Sequence, residues 1–194
     1  MKRKLPLLAL LVISLGALSL GSLGLISNTS AQSPETPKGT TIENSEWRLI
    51  VDGFVQDPLN LTFDELVEMP RSTVNAELYC VDYPTNIVAK GNWTGVRIGL
   101  LFETAGVSPE AVKAAFYAED GFTTDLTVMT ATREDIILAY EKDGEPLTEK
   151  LRLVVPGKWG YKWIHGVNHI KLVDYDFKGF WESRGYSDTA EISE

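Results

Sequence analysis

The chain has 194 residues, 44% of them hydrophobic and 23% charged, and a formal net charge of −9. Those proportions fit one globular domain with a real core and exclude a disordered chain. The acidity argues against nucleic acid as a partner, because gripping phosphates takes a surplus of lysine and arginine.

Met1-Lys2-Arg3-Lys4 is a basic start, followed by a leucine- and glycine-rich apolar run over 5–26 and small residues at Thr29-Ser30-Ala31. Residues 1–31 therefore read as a signal peptide or an uncleaved N-terminal membrane anchor. The basic residues would stay cytoplasmic, so the domain is expected to be exported and extracytoplasmic, secreted or anchored. Residues 32–45, with Ser33, Pro34, Pro37 and Gly39, read as a linker. They lead to one domain over 46–188 and a tail over 189–194.

Within the domain, alternating Trp47, Leu49 and Val51 predict a strand over 46–55. Thr62-Phe63-Asp64-Glu65 reads as a capping box that starts a helix over 63–69. The segment 76–81 alternates like a strand. Leu100, Leu101 and Ala105 place a second helix that Gly106 ends, and Ser108-Pro109 predicts the start of a third. Phe116 and Tyr117 read as strand up to Glu119-Asp120-Gly121. The spacing predicts a helix over 132–140, then strands over 151–155 and 168–175. Strands outnumber short helices, which makes the fold α+β rather than alternating α/β.

Cys80 is the sole cysteine, so no internal disulfide is open to it. It stands where the strand pattern gives way to Asp82-Tyr83-Pro84, a position suited to a metal ligand, although free cysteine commonly packs as a small hydrophobe. Pro156-Gly157-Lys158-Trp159-Gly160-Tyr161-Lys162 joins two glycines, two lysines and two aromatics in one loop. With Arg152 it inverts the local charge of an acidic chain, as an oxyanion site would. A plain β-turn with solvated lysines fits the same letters. His165 and His169 have the spacing of a zinc pair, but the general-base glutamate of that motif is missing. Glu119-Asp120-Gly121 and Asp174-Tyr175-Asp176 read as a turn and a solvated strand end.

Taken in order, these pieces resemble the molybdopterin-binding domain of the sulfite oxidase family, in its short single-domain members. The series runs through Leu61-Thr62, Glu65-Leu66 and Pro70; Leu78-Tyr79-Cys80; Trp93-Thr94-Gly95-Val96; Asp120-Gly121-Phe122; and Ile137-Leu138-Ala139-Tyr140. It continues through Leu151-Arg152-Leu153-Val154-Val155-Pro156-Gly157, Gly160-Tyr161-Lys162-Trp163-Ile164 and Phe177-Lys178-Gly179-Phe180-Trp181-Glu182.

The resemblance implies a sulfite-oxidase-like fold of mixed β-sheets with short helices. It also implies a single-pterin molybdenum cofactor and a molybdopterin-dependent oxidoreductase. Cys80 would be the metal ligand and catalytic centre, a soft thiolate on a soft metal. Arg152, Tyr161, Lys162, Trp163, Ile164 and His165 would bind the cofactor, with Arg152, Lys162 and His165 at its phosphate. The implied reaction is two-electron oxygen-atom transfer on a small S-oxide or N-oxide, with electrons from a separate partner such as a membrane cytochrome.

Four departures bear on that reading. Many relatives carry His-Gly or Asn-Gly before the strand arginine, the first residue helping to hold the phosphate; here Leu147-Thr148-Glu149-Lys150-Leu151 leads directly into Arg152. His165 stands where relatives usually have lysine, and no counterpart of the sulfite-gathering tyrosine and arginines is found. Lys2-Arg3-Lys4 lacks the adjacent arginine pair of the export route for folded, cofactor-loaded proteins. A cofactor-free binding module that keeps the fold is the alternative these departures leave open.

Overall fold

The computed structural model describes residues 47–192. The leader and linker expectations (1–31 and 32–45) lie outside the described residues. Among those described, no helix is long and apolar enough to cross a membrane.

Two sheets carry the domain. The first is ordered β2 (Leu59–Leu61), β1 (Leu49–Gly53), β10 (Val167–Val173), β5 (Lys113–Ala118), β6 (Thr123–Thr127). It is mixed: β1 and β10 are parallel and its other pairs antiparallel. The second runs β3 (Arg71–Tyr79), β4 (Ile87–Arg97), β7 (Ile137–Lys142), β8 (Glu145–Pro146), with β9 (Arg152–Val154) also on β7. Three short helices interrupt the strands: α1 (Phe63–Glu68), α2 (Ile98–Ala105) and α3 (Val128–Ala131). The α+β expectation holds.

Local signals acted where they were read. At α1 the Thr62 Oγ1 accepts from the Glu65 N–H at 3.1 Å, and Glu65 Oε2 accepts from the Thr62 N–H at 2.8 Å, a complete capping box. Gly106 ends α2 at φ 63, a left-handed geometry that costs glycine little.

Two expected helices are absent. Ser108 and Pro109 form a turn, in which the Ser108 hydroxyl accepts from the Glu110 N–H at 3.2 Å. The 132–140 segment is strand β7 for most of its apolar part. Ile136 to Tyr140 are all buried, and Ile137–Ala139 are flanked by β4 on one edge and β9 on the other. A run apolar on both faces has no period to distinguish helix from strand, and the paired edges decide it.

The core lies between the sheets and beneath the loop after β9. Trp93 of β4 and Trp163 of that loop meet edge to face at 5.9 Å, and their indole N–H groups donate to Ala76 O (3.2 Å) and Lys158 O (3.1 Å). The loop is thus fastened to the second sheet. Residues 189–192 fasten it from the other side: the Trp159 N–H donates to Ala190 O at 2.8 Å and the Ile192 N–H to Gly157 O at 3.0 Å.

Candidate functional site

β3 ends at Tyr79, and Cys80 follows as a half-buried free thiol. The loop after β9 comes close beside it. A Cβ added at Gly160 would lie 2.8 Å from Tyr79 O, so only glycine permits this approach. Between strand end and loop lies a cleft of about 390 Å3, lined by Leu78, Cys80, Val81, Asp82 and Val88 on one side. Arg152, Gly160, Tyr161, Trp163 and His165 line it on the other, with Asp120 and Phe122 from the β5–β6 turn and Trp181 and Tyr186 from the C-terminal segment.

Of the residues singled out in the sequence, Cys80, Arg152, Tyr161, Trp163 and His165 share this cleft. Lys162 and Ile164 do not line it. Ile164 is buried in the core. Lys162 is fully buried and its ammonium lies 2.6 Å from Glu182 Oε1, 3.3 Å from Asp125 Oδ1 and 2.9 Å from Asp125 O. Lys158 is likewise spent, on Glu191 and Thr189 O, both at 2.6 Å. The charge inversion visible in the sequence is neutralised by carboxylates from distant segments. A buried lysine left without such partners would have to lose its charge.

Arg152 stays at the wall of the cleft. Its Nε and Nη2 both approach Glu149 Oε1, at 2.8 and 2.7 Å. Burial pushes the Glu149 carboxyl up, but hydrogen bonds from its backbone and from Arg152 more than offset this and hold it below the ordinary value. Tyr161 donates from its phenol to Ser187 O at 2.7 Å. Burial, with the Glu182 and Asp188 carboxylates, pushes that phenol up to about 12, so it is neutral at working pH.

The two histidines part company. His169 stacks on Tyr117 at 5.1 Å and contacts Asp52 at 2.9 Å, while His165 lines the cleft. Among the described residues no cluster of three histidine, cysteine or acidic side chains could hold a metal ion. The zinc-pair reading has no structural counterpart there. The acidic turn is as expected, Asp120 Oδ1 accepting from the Phe122 N–H at 2.9 Å, yet Asp120 also lines the cleft.

Sequence reasoning missed Asp120, Phe122, Trp181 and Tyr186 as wall residues, and Glu149 as the partner of Arg152. The Asp120-Gly121-Phe122 and Phe180-Trp181-Glu182 stretches stood out as motifs, but nothing local assigned them to the neighbourhood of Cys80. Trp181 is left 37% exposed at the cleft wall.

The cleft's size is that of a small-molecule or cofactor site. Its donors suit the group implied by the resemblance: an unpaired thiol at one wall for a soft metal, and a guanidinium and an imidazole for a phosphate. The residues present fit that group.

A family model described as "Oxidoreductase molybdopterin binding domain" matches residues 35–181. An uncharacterized oxidoreductase of Bacillus subtilis, YuiH, is 34% identical over 149 residues, covering 73% of this chain and 73% of its own length. A putative protein-methionine-sulfoxide reductase subunit of Azospira oryzae, YedZ1, is 27% identical over 150 residues; the match covers 75% of this chain and 56% of that protein. Among solved structures, the sulfane dehydrogenase SoxCD of Paracoccus pantotrophus superposes with a TM-score of 0.63 at 25% identity, over 68% of this chain and 39% of that one.

Proposed function

Because the chain belongs to the oxidoreductase molybdopterin-binding domain family, and is thus a molybdopterin-dependent oxidoreductase, we propose that it works outside the cytoplasm on a small S-oxide or N-oxide. The net reaction removes one oxygen atom from the substrate as water, consuming two electrons and two protons. When bound, the molybdenum group supplies a two-electron couple that can take up or release one oxygen atom.

The chain's own residues do the rest. Cys80 offers the thiolate that ligates the metal. Arg152 and His165 grip the phosphate end, while Tyr161 and Trp163 form the wall between them. Trp181, Tyr186 and Phe122 present apolar surface that keeps bulk water from the substrate. Lys162 and Ile164 act from behind, holding the loop in place.

A protein-methionine-sulfoxide reductase subunit among the relatives supports the S-oxide class, and the basic, apolar N-terminus supports export. Electrons come from a separate partner, and a membrane cytochrome suits a chain anchored at its start. The observation that carries the reading is that the free thiol of Cys80 and the guanidinium-bearing Arg152 line one cleft.

The test is metal analysis of the full chain made in a host that synthesises the pterin, beside its Cys80→Ser variant. Near-stoichiometric molybdenum in the parent, lost in the variant, and dye-driven reduction of an organic sulfoxide are expected. A parent free of molybdenum, or a variant that keeps it, would overturn the reading.

A further inference from the structure

Between β8 and β9 the chain makes a tight turn, with the Lys150 N–H donating to Leu147 O at 3.2 Å and the Leu151 N–H to Glu149 O at 2.7 Å. Lys150 is held in it at φ 61, left-handed backbone that a side-chain-bearing residue adopts at a cost. The turn borders a second hollow of about 220 Å3, lined by Thr148, Glu149, Lys150, His165, Glu119 and Asp120. Asp120 and His165 belong to both hollows, so the small one continues the Cys80 cleft at its Arg152 end.

Glu149 is fixed from both sides. Its Oε1 accepts from Arg152 Nε at 2.8 Å and lies 2.7 Å from Nη2, and its Oε2 accepts from the Thr148 hydroxyl at 3.1 Å. An anion binding at Arg152 must compete with Glu149 for its Nε and Nη2. Lys150 lines the same hollow and has no ion pair among the described residues. We infer that Glu149 competes with the cofactor's phosphate for the Arg152 guanidinium and must give way when a phosphate binds, while Lys150 supplies the second cation. The inference rests on the cofactor reading above and adds what sets the grip on the tail. A carboxylate beside the anion site weakens it by like-charge repulsion and by competition for the same donors.

The test is titration of the cofactor-free full chain with inorganic phosphate by calorimetry, in low salt. Glu149→Gln should bind phosphate about tenfold more tightly than the parent, because one nearby negative charge is gone at a partly exposed site. Glu149→Ala should move in the same direction, and Lys150→Ala should weaken binding several-fold. Thermal unfolding of each variant checks that it is folded. Unchanged or weaker phosphate binding in both Glu149 variants would overturn the inference. So would phosphate binding that persists in the molybdenum-loaded chain, since the tail should then fill the site. Molybdenum content of the same preparations decides the cofactor reading separately, so the two failures are told apart.

Discussion

The Nζ of Lys162 and Oε1 of Glu182 lie 2.6 Å apart with both side chains fully out of solvent. The Thr124 hydroxyl donates to the same Glu182 oxygen at 2.7 Å, and Lys162 also reaches Asp125. One ammonium therefore ties the loop beside Cys80 to β6 and to the C-terminal segment that carries Trp181. Removing one member of a buried pair strands the other's charge, at a cost of about 3–5 kcal/mol. Lys162→Met should lower stability by that order in urea titration. Molybdenum per folded chain should change little, because the ammonium does not line the cleft. Full stability with lost metal would instead make Lys162 a cofactor contact.

That pair also shows what could be read from the chain and what could not. Thr62 with Glu65, and Gly106, act within three or four residues, and both were legible. The loop cations were legible as charges, but their partners stand far off in sequence, Asp125 37 residues from Lys162 and Glu191 33 from Lys158. Local pattern cannot tell a lysine waiting for a phosphate from one already neutralised. The same distance hid Trp181 and Tyr186, whose place on the cleft follows from tertiary packing of the C-terminal segment. The strand at Ile137–Lys142 was hidden for another reason: with both faces buried it has no alternation, and only its pairing with β4 and β9 identifies it.

Asp188 ties the same C-terminal segment down through Oδ2, which lies 2.7 Å from Lys113 and 2.7 Å from Lys178. Burial pushes its carboxyl up, but hydrogen bonds from the two lysines reverse this and hold it at about 2. A folded value below the unfolded one stabilises the fold above the ordinary carboxylate range. That contribution fades as pH falls from about 4 toward about 2. The side chain is a third exposed, so solvent screening reduces the contribution to about 1 kcal/mol. Asp188→Asn should therefore be less stable than the parent near neutrality, with the gap closing on acidification. Denaturant midpoints measured across that range check this, and a gap independent of pH would contradict it.

Gly157 and Gly160 stand in one loop yet are glycines for different reasons. Gly157 has φ 81 with nothing within 4 Å of a would-be Cβ, so alanine there meets only backbone strain, about 1 kcal/mol. A Cβ on Gly160 would lie 2.8 Å from the Tyr79 carbonyl and 3.2 Å from Leu78 Cδ2, so alanine there must push the loop off the end of β3. Forced overpacking of this kind costs about 1–3 kcal/mol. The residue after Tyr79 is Cys80, so the displacement also opens the distance between the thiol and the wall made by Tyr161 and Trp163. Gly157→Ala should lose some stability and keep its molybdenum. Gly160→Ala should lose both, with less metal per folded chain by elemental analysis. Equal retention in the two variants would mean that the close contact at Tyr79 does not set the geometry of that wall.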